Sequence, residues 1–484
     1  MNTRFATAFE IRAAIANKAV TAEVVTRDVL KTIREEDGNI GAFLETFDDE
    51  AIASAKAIDE MIARGEELPR LAGVPVALKD NMLVKGHRAT SGSRILKDYV
   101  APYDATVVAR LKAAGAIIVG RTNMDEFAMG SSTETSAWQK TFNPWDTSRI
   151  PGGSSGGSCA AVAAGFVPIA LGSDTGGSVR QPAALCGIVG LKPSYGRVSR
   201  YGLMALASSF DQIAPFARTV ADAALALEVI EGEDERDATS VSLSETTVPE
   251  LMSPTLKGVK VGVPKEFFID GMDEDVRSTV LAALETMREQ GAEIVDISLP
   301  LLKVALPAYY IIQPAEACSN LGRFDGMRYG TRAPGSLEAS YLEARGEGFG
   351  REAKRRIMLG AFILSAGYVD AYYKKALAVR AALKTQFDNA FKEVDVIVGP
   401  TSPVVAWKVG EKFDDPMAMY LADVFTVATN VIGIAGISIP CGFAHGLPVG
   451  LQIQANHLEE GKMISVAAAY EAATQWHEQV PVQK

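Results

Sequence analysis

Two glycine-rich turns are the strongest indication of fold and function in this sequence. Residues 152–158 are GGSSGGS and residues 172–182 are GSDTGGSVRQP, and an apolar run of small residues lies between them. Acyl transfer needs a nucleophilic hydroxyl, a base and backbone N–H donors for an oxyanion. Glycine lets backbone approach a substrate closely because it has no Cβ. With Lys79, which ends a strand-like segment upstream, these turns could supply all three parts.

The base in such a site would not be a histidine. The four histidines, at positions 87, 445, 457 and 477, lie outside the serine-rich region, and none sits in a recognisable triad motif. Lysine is the known substitute for histidine in serine–lysine sites. To act as a base, Lys79 must be neutral near pH 7, so burial must bring its pKa down from about 10.4. The alternative interpretation of Lys79 is a solvated lysine at a strand end.

Composition limits the classes of protein that fit. The chain has 484 residues, 48% apolar and 22% charged, which is typical of a globular protein. Its net charge of −11 argues against a main nucleic-acid-binding surface. The four cysteines are far apart, so we expect neither a metal site nor a disulfide framework. The N-terminus lacks an apolar signal core and no stretch is long enough to span a membrane, so we expect a cytoplasmic protein.

Strands and helices alternate along most of the chain. Strands are predicted at 74–78, 116–119, 168–171, 187–191, 259–263 and 294–297, with late strands at 396–400, 437–440 and 450–453. Helices are predicted at 105–114, 159–164, 273–290 and 462–476, and residues 305–392 are expected to be mainly helical. The order favours an α/β fold with one mixed sheet closed by both ends of the chain. Residues 232–254 are expected to form a surface excursion.

The glycine-rich run has two other possible roles. It could cradle a phosphate at a helix N-terminus, but it lacks both the Gly-x-x-x-x-Gly-Lys pattern and Gly-x-Gly-x-x-Gly. It could also be a purely structural turn, since glycine and serine are common in turns. Two closely spaced turns that each present a serine after Gly-Gly favour a catalytic role.

Lys79 and the two turns together resemble the amidase-signature family, and the resemblance is densest over residues 70–215. It implies one α/β domain over residues 1–484, with a large mixed β-sheet covered by helices on both faces. It also implies a serine nucleophile, a second serine that relays protons, a lysine base and an oxyanion hole of backbone N–H groups. By this resemblance Ser178 is the nucleophile, Ser154 the relay serine and Lys79 the base. The oxyanion hole is formed by the turn residues Thr175, Gly176 and Gly177.

Other segments narrow the resemblance to the glutaminase subunits of tRNA-dependent amidotransferases. These are residues 125–136, 309–310, 316–317, 320–326 and 354–360. The resemblance implies glutamine as substrate, with its carboxylate on Arg356, its amino group on Asp423 and Tyr309 nearby. The helical insertion at about 300–392 would contribute this pocket. The choice between Tyr309 and Tyr310 stays open, and Gln313-Pro314 departs from the small residues expected there.

The expected activity is release of ammonia from glutamine, for conversion of misacylated Glu-tRNA(Gln) to Gln-tRNA(Gln). The resemblance implies no cofactor in this chain. It implies two partners: a kinase/transamidase, the B subunit, which uses ATP and Mg and holds most of the tRNA, and a small C subunit. The alternative is a stand-alone amidase of small or aryl amides. An assembly scaffold and a nucleotide-binding module are further alternatives.

Overall fold

Eleven strands form a single mixed sheet at the centre of the molecule. The structure, a computed structural model, describes residues 3–243 and 254–481. The strand order is β1-β3-β2-β4-β6-β5-β10-β11-β9-β7-β8. The strands are β1 (Phe43–Thr46), β2 (Pro75–Lys79), β3 (Ile117–Thr122), β4 (Ile169–Asp174), β5 (Val189–Lys192), β6 (Gln212–Ala217), β7 (Lys260–Pro264), β8 (Glu293–Ile297), β9 (Val396–Pro400), β10 (Ala435–Ala444) and β11 (Leu447–Ala455).

Fifteen α-helices in the described part of the chain surround this sheet. They are α1 (Ala8–Ala16), α2 (Ala22–Glu36), α3 (Asp48–Arg64), α4 (Thr106–Ala113), α5 (Gly156–Ala163), α6 (Arg180–Cys186), α7 (Val220–Ile230), α8 (Glu274–Glu289), α9 (Ala305–Leu321), α10 (Leu337–Gly348), α11 (Arg351–Leu364), α12 (Lys375–Ala390), α13 (Pro416–Leu421), α14 (Val427–Ile432) and α15 (Glu460–Thr474). None of these helices is long and apolar enough to cross a membrane. The predicted α/β fold with a mixed sheet is confirmed.

The central strands are covered on both faces. Every residue of β2, β3, β4 and β6 is buried. Strands β2, β3 and β4 run parallel to one another. Parallel strands that are covered on both faces have nearly continuous apolar sequences, because neither side of the strand faces water. At the outer edge, the five residues of β8 are exposed or half-buried. The catalytic segments therefore leave the sheet from its best-covered region.

Strands from before and after the helical middle of the chain share this one sheet, as the strand order predicted. Strands β1–β6 come from residues 43–217 and β7–β11 come from residues 260–455. Within the described residues, the two sets pair through β5 and β10, with Gly190 opposite Ser438 and Lys192 opposite Gly436. Strands β1 and β6 were not predicted. Residues 244–253 of the predicted excursion lie outside the described residues.

Helix ends follow local capping rules. Thr21, the N-cap of α2, accepts a hydrogen bond from Val24 N at 3.2 Å. Helix α3 ends at Gly65 with φ of 72°, a left-handed conformation that glycine adopts without strain. Helix α5 begins at Gly156, three residues before the predicted start. A Cβ at Gly157 would lie 2.4 Å from the carbonyl oxygen of Asn123, so this turn of helix needs glycine to approach the neighbouring chain.

Helices α9 and α11 pack closely in the helical middle of the chain. A Cβ at Gly360 of α11 would lie 2.0 Å from the carbonyl oxygen of Pro314 on α9. Only a glycine permits this approach, because any side chain there would meet rigid backbone. Arg356 lies one helical turn earlier on α11. The close approach of the two helices therefore holds Arg356 against Gln313, the residue before Pro314.

Candidate active site

The catalytic candidates meet at one edge of the sheet. Lys79 is the last residue of β2, and Asp174 is the last residue of the neighbouring parallel strand β4. The carboxyl ends of parallel strands lie at the same edge, where α/β folds place their sites. Ser178 follows β4 and precedes α6, and Ser154 precedes α5. The predicted turns are therefore adjacent in space.

Lys79 lies in a ring of serine oxygens. Its Nζ is 2.8 Å from Ser154 Oγ, 2.8 Å from Ser155 Oγ and 3.0 Å from Ser173 Oγ. All four side chains are buried, and Asn81 Nδ2 donates to Ser173 Oγ at 2.9 Å. Ser155 and Ser173 were not predicted as site residues. Ser155 lay inside the quoted run, so its position next to Ser154 was the available signal.

The environment of Lys79 favours a neutral amine. Burial lowers its pKa to about 7, although the charges of Asp125, Asp174 and Asp211 act in the opposite direction. A neutral amine has two hydrogens and one lone pair, so among three hydroxyls it can donate twice and accept once. Because the Ser155 hydroxyl donates to the carbonyl of Ser173 at 3.1 Å, Ser155 accepts from Lys79. The lone pair remains free to face another hydroxyl.

Ser178 lies beside this cluster but is not joined to it. Its exposed fraction is 8%, whereas Ser154 is fully buried. The peptide bond between Gly153 and Ser154 is cis. Lys79 and Ser154 share a hydrogen bond, but within residues 3–243 and 254–481 Ser178 has no hydrogen bond to either of them. Of the three predicted catalytic side chains, the structure joins two directly and places the third on the adjacent turn.

The turn before Ser178 is built around the carboxylate of Asp174. This carboxylate accepts from Gly177 N at 2.9 Å and Val179 N at 3.1 Å. Burial alone would raise the pKa of Asp174, but the guanidinium of Arg180 at 3.0 Å lowers it to about 2. Because the N–H of Gly177 donates to Asp174, an oxyanion would have to share this donor. The Thr175 hydroxyl is also engaged, since it donates to a carboxylate, that of Asp211, at 2.7 Å.

Arg180 links this turn to the far end of the chain. Its guanidinium donates to Asn430 Oδ1 and Gln452 Oε1, both at 2.6 Å, and to the carbonyl of Thr426 at 2.9 Å. Arg180 and Asp174 are both fully buried. A buried ion pair needs such additional hydrogen bonds to offset its desolvation. The turn is therefore fixed by residues that are distant in the sequence.

Tyr309, rather than Tyr310, contacts the turn before the nucleophile candidate. A Cβ at Gly176 would lie 2.7 Å from both Cζ and Oη of Tyr309. The ring of Tyr309 is buried and stacks on Phe210 with centroids 5.7 Å apart. Tyr310 instead stacks on Tyr420 at 4.0 Å. The glycine at position 176 allows this close contact between turn and ring.

Arg356 is buried among aromatic rings and polar groups. Its guanidinium carbon is 5.3 Å from the ring centroids of both Tyr310 and Tyr420. Its Nε donates to Glu352 Oε1 and its Nη1 donates to Gln313 Oε1, each at 2.8 Å. These partners hold a planar guanidinium in one orientation. Its Nη2 makes no hydrogen bond to the part of the protein that the structure describes.

Asp423 is a buried carboxylate that is influenced by the charge of Arg356. It accepts a hydrogen bond from Ser131 Oγ at 2.6 Å. Burial raises its pKa to about 7, against the lowering effects of Ser131 and of the charge of Arg356. The hydroxyl of Thr426 lies 2.7 Å from the carbonyl of Gly176 and 3.1 Å from the carbonyl of Asp423, so the Asp423 segment packs directly on the catalytic turn.

An open cleft lies beside this region. Its lining includes Met129, Gly130, Ser132, Arg356 and Tyr420. The cleft therefore reaches the end of the site that carries Arg356.

One group of side chains in the described residues could hold a metal ion. It comprises Asp273, Asp275 and His445, two of which are exposed. His445 contacts both carboxylates, at 2.9 and 3.3 Å. No predicted site residue belongs to this group.

Comparison with known proteins extends over nearly the whole chain. The Amidase family model matches residues 24–464. The chain is 52% identical over 474 residues to the A subunit of the glutamyl-tRNA(Gln) amidotransferase of Thermoanaerobacter pseudethanolicus, covering 97% of each protein. It is similar to a crystal structure of the corresponding A subunit from Thermotoga maritima, with a TM-score of 0.82, 42% identity and coverage of 97% and 95%. A bacterial aryl acylamidase of the amidase signature family gives a TM-score of 0.86 at 25% identity, with coverage of 99% and 98%. The fold, the clustered lysine and serines and these matches agree, and the chain belongs to the amidase family.

Proposed function

We propose that this chain is the glutaminase subunit of a tRNA-dependent amidotransferase. It hydrolyses glutamine to glutamate and supplies ammonia for conversion of Glu-tRNA(Gln) to Gln-tRNA(Gln). One observation carries the proposal: the segment of the buried Asp423 packs on the turn beside the lysine–serine cluster, and the buried Arg356 is near enough for its charge to lower the pKa of Asp423. The pair suits a substrate that carries both a carboxylate and an ammonium group. Full-length similarity to the A subunit of Thermoanaerobacter pseudethanolicus supports it.

The reaction begins with proton transfer through two serines. Neutral Lys79 accepts the hydroxyl proton of Ser154 as Ser154 accepts that of Ser178. Ser178 Oγ then forms a bond to the amide carbon of glutamine. The 2.8 Å contact between Lys79 Nζ and Ser154 Oγ supports the first transfer. Burial supports it too, because it lowers the pKa of Lys79 to about 7.

Collapse of the tetrahedral intermediate breaks the carbon–nitrogen bond. Ser154 gives a proton to the departing nitrogen and recovers one from Lys79, so ammonia leaves and the lysine is neutral again. Water, deprotonated by the same lysine–serine pair, then cleaves the ester to Ser178 and releases glutamate. We place the oxyanion against the backbone of Thr175, Gly176 and Gly177, where loss of one donor costs about 3–4 kcal/mol of transition-state stabilisation.

The substrate's α-groups define the other end of the site. We assign its carboxylate to Arg356 and its ammonium group to Asp423, with Tyr309 packed beside the turn. The buried position of all three side chains supports this assignment. Helices α9 and α11 provide two of them, which supports a substrate-binding role for the helical insertion at about 300–392.

The remaining steps belong to partner proteins. A kinase/transamidase, the B subunit, would activate the glutamate on tRNA with ATP and Mg, and would hold most of the tRNA. A small C subunit would complete a cytoplasmic heterotrimer. The net charge of −11 agrees with an arrangement in which this chain makes few contacts to nucleic acid. The chain itself needs no cofactor for the chemistry above.

A stand-alone amidase of small or aryl amides is the second candidate, because an aryl acylamidase shares the fold. The test measures ammonia release from L-glutamine by the full chain and by Ser178→Ala, alone and with the B and C subunits and charged tRNA. We expect Ser178-dependent release that the partners increase. Cleavage of simple amides by the chain alone, with L-glutamine untouched in every combination, would refute the glutaminase assignment.

A further inference from the structure

Gln313 is a buried polar residue that has no part in the proposed reaction steps. It lies on α9, one helical turn after Tyr309 and therefore on the same helix face. Its exposed fraction is 0%. The close approach of Gly360 to the carbonyl of Pro314 brings α11 against this position. Gln313 thus stands between Tyr309 and Arg356.

The orientation of the Gln313 amide is fixed by its neighbour. Arg356 Nη1 donates to Gln313 Oε1 at 2.8 Å. A guanidinium has five N–H donors and no acceptor, so the oxygen of the amide must face it. The amide nitrogen Nε2 consequently points away from Arg356 Nη1, and it is buried without a hydrogen-bond partner among the residues that the structure describes.

An unpartnered buried donor beside an arginine is suited to an anionic ligand. Arg356 is committed through Nε to Glu352 and through Nη1 to Gln313, which leaves Nη2 available in the cleft. A carboxylate has two oxygens and accepts about four hydrogen bonds. Arg356 Nη2 and Gln313 Nε2 are thus unused donors on two side chains that contact each other, and one carboxylate could accept from both.

We propose that Gln313 binds the α-carboxylate of the substrate, with Nε2 donating to it and Oε1 holding Arg356 in place. This assignment rests on the proposed glutaminase function. It makes Gln313 a determinant of specificity, because an amide without a carboxylate would leave Nε2 unpaired in the complex. Sites with an unpaired buried polar group discriminate strongly against such analogues.

The decisive variant is Gln313→Glu, which keeps an oxygen for Arg356 and replaces the Nε2 donor with a second oxygen. Gln313→Met is the companion variant, since it removes both contacts at similar volume. We would measure kcat/KM for L-glutamine, for glutaramic acid, which lacks only the amino group, and for 4-aminobutanamide, which lacks only the carboxylate. We expect both variants to lose about tenfold or more toward the two carboxylates, mainly through KM. Activity toward 4-aminobutanamide should change less than about twofold.

Gln454→Met provides the matched control. Gln454 is also fully buried and also has one unpartnered amide atom, but its Nε2 donates to Thr429. We expect its three kcat/KM values to keep the wild-type ratios. Binding of L-glutamine and of 4-aminobutanamide to Ser178→Ala, with and without the Gln313 change, gives the same comparison by calorimetry without turnover.

The outcomes distinguish a failure of the proposed function from a failure of the role of Gln313. Wild-type protein that neither binds nor hydrolyses L-glutamine overturns the proposed function and this assignment together. Wild-type protein that hydrolyses L-glutamine, with Gln313→Glu equally impaired toward all three amides, overturns the role of Gln313 alone. Unimpaired hydrolysis of L-glutamine by Gln313→Glu does the same.

Discussion

The rate of glutamine hydrolysis should depend on pH through two separate groups in the free enzyme. Lys79 must be neutral to accept a proton, and its pKa is lowered to about 7 by burial. Asp423 must be ionised to hold an ammonium group, and its pKa is raised to about 7 by burial. Both requirements fail as the pH falls, so kcat/KM should decrease on the acidic side.

The magnitude follows from the two pKa values. A group with a pKa of about 7 is about 9% deprotonated at pH 6 and about 91% at pH 8, a ratio of about ten. Two independent groups with this pKa multiply to a ratio of about one hundred. Glutaramic acid has no ammonium group and should depend on Lys79 alone. Between pH 6 and pH 8 we therefore expect kcat/KM to rise about tenfold for glutaramic acid and up to about a hundredfold for L-glutamine.

The assay is ammonia release at low substrate concentration and constant ionic strength, with each enzyme sample tested for full recovery at pH 8. In Asp423→Asn, the slower hydrolysis of L-glutamine should show only the tenfold dependence. Identical pH profiles for the two substrates in the wild type would refute the role of Asp423. A profile that is flat from pH 6 to pH 8 for glutaramic acid would refute Lys79 as the base.

Three further substitutions test the geometry. Gly176→Ala places a Cβ 2.7 Å from Tyr309, so the turn must move by about 1 Å, and we expect kcat to fall about a hundredfold with the fold intact by circular dichroism. Lys79→Met removes a lysine that is protonated when unfolded but not when folded between about pH 7 and 10.5. Wild-type stability rises with pH in that window, by up to about 1.4 kcal/mol per pH unit, so calorimetry should show any advantage of the variant shrinking by about 2 kcal/mol from pH 7 to pH 9. Arg180→Met leaves Asp174 buried without its cation, and we expect a loss of about 3–5 kcal/mol in chemical unfolding.

Matched variants control two of these experiments. Gly346→Ala adds a methyl group to a helix position with open space around it and should leave kcat unchanged. Arg27→Met removes an exposed ion pair with Glu23, and we expect it to leave the unfolding transition almost unchanged. Equal effects of Gly346→Ala and Gly176→Ala would contradict the contact with Tyr309. A pH-independent difference between Lys79→Met and the wild type would contradict the lowered pKa of Lys79.

Local patterns predicted the core of the site because its parts are local. Lys79 ends a strand that is buried along its whole length, and each serine follows glycines that permit a tight turn. Asp174 and Arg180 lie within one quoted run, a few residues apart. The partners of Arg180 could not be predicted, since Asn430 and Gln452 reach it only through the pairing of distant strands.

Two strands escaped prediction for identifiable reasons. Strand β6 contains Pro215, and a proline within an apolar run argues against a strand. In the sheet, Pro215 lies opposite Leu171 of β4 nevertheless. Strand β1 has four residues and follows a polar turn, so it carries almost no periodicity. In both cases long-range pairing outweighs the local signal.

The seam between β5 and β10 has a consequence for expressing the protein in pieces. A fragment ending near residue 243 would contain Lys79, Ser154 and Ser178, yet Arg180 would lose the acceptors that the later residues give it. Such a fragment would also expose β5 as an unpaired sheet edge, which invites aggregation. Fragment complementation should therefore restore activity only when both halves are synthesised together. Each half can then pair with the unpaired edge strand of the other during folding.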